Sequence, residues 1–140
     1  MNGKTFLLAP LLWALATMAA AQGFAGLGQT SDGFALPDPE TRFVFPQDHG
    51  AHNEFRIEWW YVTANLEAAD GTPYGMQWTL FRSALAPGGA EEDQAWMAHA
   101  AVSTPEGHLY AERFARGASG QAGVSADPIN AFIDEWQMVG

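Results

Sequence analysis

Two histidines, His49 and His52, precede three ionisable residues at alternate positions, Glu54, Arg56 and Glu58, and these run into Trp59, Trp60 and Tyr61. The chemistry within reach of such a set is proton transfer at an apolar surface. A carboxyl beside indole rings holds its proton more tightly than one in water, so Glu58 is a candidate acid. Histidine titrates near neutrality, so His49 or His52 is a candidate base. Indole and phenol faces can stabilise a cation. Together, Glu58, His49 and His52 could protonate an unactivated alkene, and take the proton from a water that attacks the resulting cation. The alternative is structural: Glu58 pairs with Arg56 or Arg82, and most of the six tryptophans are ordinary core.

A second chemistry is weaker. His49 and His52, with His99 or Glu58, have the ligand types of a zinc site, but residues three apart on extended backbone point to opposite faces. No metal site is therefore expected. No G-x-S-x-G elbow occurs, and the glycine-rich residues 117–123 precede no helical pattern, so neither a hydrolase triad nor a phosphate cradle is indicated. No cofactor is implied.

The elements that must position these groups read as strands. On an extended backbone Glu54, Arg56, Glu58, Trp60 and Val62 share one face, and Phe55, Ile57, Trp59, Tyr61 and Thr63 the other. Asp70-Gly71 marks a hairpin turn, after which residues 74–85 should return antiparallel, with Gln77 among bulky apolar neighbours. Residues 95–103 and 108–114 alternate likewise, joined by a tight turn at 104–107. Phe43 and Phe45 suggest a short edge strand, residues 115–128 a long loop, and residues 129–139 one last apolar stretch. No sustained helical period occurs after residue 21, and about five short strands predict an all-β fold, an antiparallel β-barrel. Five strands would leave unpaired edges, so the sequence is expected to be the N-terminal part of a longer protein and, alone, to associate or unfold without sharp cooperativity.

Residues 1–21 have the pattern of a secretory signal peptide: Lys4, an apolar run and the small residues Ala19 and Ala21 before Gln22. Residues 22–41 read as a flexible linker and 42–140 as an incomplete barrel domain, expected to be truncated at its C-terminus. The chain carries 16 acidic and 6 basic residues and no cysteine. That balance argues against a nucleic-acid partner, and the missing cysteines exclude disulfides and thiolate metal sites. An exported protein, periplasmic or secreted, is the expectation.

The blocks FPQDHGAHNEFRIEWWYVTANL, YGMQWTLFRSAL, WMAHAAVSTPEGHLYAERFARGASGQAGV and FIDEW, in this order, resemble the lipocalin-like family of carotenoid 1,2-hydratases (hydroxyneurosporene synthases) and their AttH-like relatives, known as predicted secreted hydrolases. The resemblance runs from Phe43 to Trp136. It implies a lipocalin-like barrel, the first of two in a chain more than twice as long. It also implies either hydration of an acyclic isoprenoid or a non-catalytic role, as a carrier of a lipid-like molecule or an accessory of a membrane transport system. Ligand contacts are then expected from Trp59, Trp60, Tyr61, Gln77, Trp78 and His99.

Overall fold

The computed structural model describes residues 32–140. Seven strands follow in order: β1 (Ile57–Glu67), β2 (Pro73–Ala84), β3 (Gln94–Thr104), β4 (Gly107–Arg116), β5 (Ala122–Ala126), β6 (Ile129–Ile133) and β7 (Trp136–Val139). They form two antiparallel sheets, β1-β2-β3-β4 and β5-β6-β7, each a meander of sequence neighbours. The all-β expectation holds. Among the described residues the two sheets stay separate and open, consistent with the incomplete barrel expected of an N-terminal part.

The turns follow from local chemistry. Between β1 and β2, Gly71 sits at φ 83°, Ala68 receives the Gly71 amide, and the Asp70 carboxylate accepts the Thr72 amide at 3.0 Å. Such a φ is cheap only for glycine. Between β3 and β4, the Thr104 hydroxyl accepts the Glu106 amide at 3.1 Å and closes a tight turn.

The register puts Glu58 opposite Arg82, Trp60 opposite Leu80 and Val62 opposite Trp78. Across the next pair, Arg82 meets Trp96 and Leu80 meets Ala98. This face is covered by the small sheet, and Leu80, Trp96, Ala98, Ala131 and Ile133 form the core, with Trp60, Trp78 and Trp136 packed around it. Removing a fully buried aliphatic side chain such as Leu80 costs about 2–5 kcal/mol. Arg113, on the same face of β4, ties the two sheets together: its guanidinium lies 4.5 Å from the Trp136 ring centroid and 2.7 Å from Glu135. The opposite face carries a row in register, Trp59, Phe81, Met97 and Phe114, with both ends exposed.

Several expectations need correction. Pairing of β1 begins at Ile57, so Glu54 and Arg56 precede the strand rather than extend its ladder. Phe43 and Phe45 form no edge strand; they lead, exposed, into a 3-10 turn at Gln47–His49. The loop expected over residues 115–128 is only a short turn, because β5 pairs with β6 through small residues that periodicity does not flag. The last apolar stretch is two strands, split where Asp134 adopts φ 49°. The signal peptide expected over residues 1–21 and residues 22–31 of the expected linker lie outside the described residues. Of that linker, residues 32–41 have some fixed structure, since Ala35 bridges in parallel to Phe55 and its amide reaches the Glu54 carbonyl at 3.0 Å.

Candidate functional site

At the start of β1 the side chains of Glu58, Arg82 and Gln94 all project from the covered face. Arg82 is 0 % exposed. A guanidinium so placed must have its donors matched, because an unpaired buried charge is costly. Its Nε donates to Glu58 Oε2 at 3.0 Å and its Nη1 to Gln94 Oε1 at 2.6 Å. Its Nη2 donates to the carbonyls of His52 at 2.9 Å and Phe55 at 2.8 Å. Gln94 is held in turn by the Ala90 carbonyl, 2.8 Å from its Nε2.

The segment before β1 is therefore pinned by Arg82 through two of its carbonyls, and it delivers His52 to Glu58. The His52 amide donates to Glu58 Oε2 at 2.8 Å, and its ring Nδ1 lies 2.7 Å from Glu58 Oε1. The other ring nitrogen, Nε2, is 3.1 Å from Asp48 Oδ1. Asp48 sits in the 3-10 turn that follows Pro46, four residues before His52, and also accepts the Val44 amide. An imidazole between two carboxylates donates from both nitrogens when protonated. The hydrogen bond to Asp48 raises the His52 pKa above its ordinary 6.5, partial burial opposes this, and Glu58 adds to the rise. Asp48 is correspondingly lowered from 3.8, first by the Val44 amide and then by His52. Both carboxylates thus favour the imidazolium form of His52 more than water would.

Two clefts open onto this group. One, of about 590 Å³, is lined by Phe43, Val44 and Phe55 together with Asp48, His52 and Glu58. The other, of about 400 Å³, shares Phe43 and the same three polar residues and adds Trp59 and Trp60. The Trp60 indole is anchored by donating to the His49 carbonyl at 2.9 Å and lies 6.0 Å from the Trp96 ring.

Of the expected site residues, Glu58, His52 and Trp60 come together. His49 contributes its carbonyl, while its ring tilts against Phe45 at 4.6 Å. Trp59 is 56 % exposed and reaches only the smaller cleft, from the far face of β1. Tyr61, 61 % exposed, and Gln77 point to that far face, because they alternate with Trp60 and Trp78 along their strands. His99 lies there too, 3.5 Å from Glu112 and edge-on to Phe81. Trp78 packs into the core, its indole nitrogen buried without a hydrogen-bond partner among the described residues. A zinc set of His49, His52 and His99 does not assemble, since His99 is on the opposite face from the His52 cluster. Asp48 and Gln94 were not expected. Asp48 stands four residues before His52, a spacing that a single turn can close; nothing in the local sequence marks Gln94.

The AttH-like family model matches residues 36–140. The chain belongs to the AttH-like family. It is similar to a solved protein of Nitrosomonas europaea described as a candidate AttH, with 38% identity and a TM-score of 0.60 over 76% of this chain. That match takes in 33% of the other protein, so this AttH-like chain spans about a third of its relative's length over the matched part. No curated protein matches it.

Proposed function

We propose that this AttH-like chain is part of an exported protein, periplasmic or secreted, that binds an apolar isoprenoid or lipid-like molecule in the cleft beside His52. The observation that carries the reading is the pairing of an apolar lining, Phe43, Val44 and Phe55, with one convergent polar group, Asp48, His52 and Glu58. Apolar clefts with a few fixed polar groups are the common form of small-molecule sites. Export rests on the leader-like pattern of residues 1–21. The test is lycopene added to the purified protein, followed by tryptophan fluorescence. Saturable quenching supports the reading, and quenching that Phe55→Ala leaves unchanged counts against this cleft.

Hydration of the bound molecule is the second reading, favoured by the two carboxylates that hold the His52 ring and raise its pKa. In that reaction a proton passes to the terminal alkene carbon, water oxygen bonds to the tertiary cation, and a carboxylate takes the water's proton. Glu58 accepts from His52 and Arg82 as a carboxylate, so this reading reverses the roles expected from residue types and gives Glu58 the base role and His52 proton delivery. In the full-length protein Glu58→Gln should keep the ligand and lose any hydroxylated product detected by mass spectrometry. A protein whose wild type forms no product is a carrier or an accessory of a transport system.

A further inference from the structure

The larger cleft has a charge pattern that selects among apolar molecules by their polar end. Its walls carry four carboxylates, Asp38, Asp48, Glu54 and Glu58, against Arg42 and His52. The buried cation behind the wall, Arg82, has its donors turned to Glu58, Gln94 and two carbonyls. Both ring nitrogens of His52 are likewise engaged, by Glu58 and Asp48. Arg82 and His52 therefore balance Glu58 and Asp48 and offer little to an incoming anion. The other charged residues of the lining are Arg42, Asp38 and Glu54, all exposed.

Building on the apolar-cleft reading, we infer that the site accepts apolar molecules ending in a hydrogen-bond donor without negative charge, such as an isoprenoid alcohol, and rejects the corresponding carboxylates. A hydroxyl entering beside Asp48 or Glu54 finds acceptors, whereas a carboxylate finds like charge and must compete with those acids for Arg42.

The experiment compares retinol with retinoate, which share an apolar body and differ at the polar end, by quenching of tryptophan fluorescence in the full chain. Retinol should bind about tenfold more tightly, equivalent to about 1.4 kcal/mol. Asp38→Asn with Glu54→Gln, both exposed positions outside the His52 cluster, should narrow that gap, and so should added salt, which screens exposed charge. Retinoate binding as tightly as retinol, or a gap that the double variant leaves untouched, overturns the inference alone. Failure of both probes to quench at all overturns the apolar-cleft reading beneath it.

Discussion

Glu58 and Arg82 stand directly opposite one another across the β1–β2 ladder, and the guanidinium meets the carboxylate at 2.9–3.0 Å with Arg82 wholly buried. Burying two charges costs more than their attraction returns unless every donor is matched. Here every arm of Arg82 has an acceptor, two of them carbonyls of the segment that brings His52 to the site. The pair is thus a structural joint as well as part of the cleft.

Arg82→Met should lower stability by about 3–5 kcal/mol, because it removes the cation that neutralises Glu58 and the donor to Gln94 and two carbonyls. Combining it with Glu58→Gln should recover part of that loss, since the two residues are coupled. Urea unfolding of the three variants checks this; simple additivity would show that the joint does not exist.

Stability should depend on pH through His52 and Asp48, in opposite directions. His52 has a raised pKa when folded, so its contribution is complete below the ordinary 6.5 and disappears as pH rises through the folded value. Asp48 has a lowered pKa, so its contribution is present above the ordinary 3.8 and disappears as pH falls through the folded value. The maximum from this pair lies between about pH 4 and 6.5. Unfolding midpoints measured from pH 3 to 9 should flatten on the alkaline side in His52→Gln.

Trp60→Phe keeps most of the ring packing on Trp96 but loses the hydrogen bond to the His49 carbonyl, a loss of roughly 0.5–1.5 kcal/mol. Trp60→Ala should cost more, up to about 3 kcal/mol for this partly buried ring, and should weaken lycopene binding as well. Calorimetry together with the quenching titration separates the two effects.

Gly117→Ala should be among the most damaging small changes. A Cβ there would stand 1.8 Å from the Glu91 carbonyl oxygen and 3.0 Å from that of Gln94, which already accepts the Gly117 amide at 2.7 Å. Backbone must move to relieve the clash, and Gln94 moves with it, loosening Arg82. A variant with an unchanged midpoint in thermal unfolding contradicts this account.

How much of this was legible in the chain depends on the range of the interactions. Strand alternation and turn chemistry are local, so β1 to β4, the Asp70-Gly71 hairpin and the shared face of Glu58 and Trp60 follow from neighbouring residues. Alternation also shows that Trp59 and Tyr61 point away from Trp60, although the expected ligand contacts include all three. The division of residues 115–139 into β5, β6 and β7 was not legible, because strands of four or five residues, the first of them built of small side chains, carry too little pattern to distinguish them from loop.

The site itself is divided the same way. Residue types alone nominated Glu58 and His52, and Arg82 was in view only as a possible partner for Glu58. Register decided that Arg82 is a partner of Glu58, since a directly opposed residue on the same face comes within bonding distance. Tertiary structure also brought in Asp48 and Gln94: a 3-10 turn carries one back over His52, and the β2–β3 ladder places the other beside Arg82's end of the sheet. These contacts span up to 30 residues of sequence, and a period of two or 3.6 holds no information at that distance. The residue types that can carry protons were therefore set by the sequence, while the identity of the groups that hold and neutralise them was decided by which strands lie side by side.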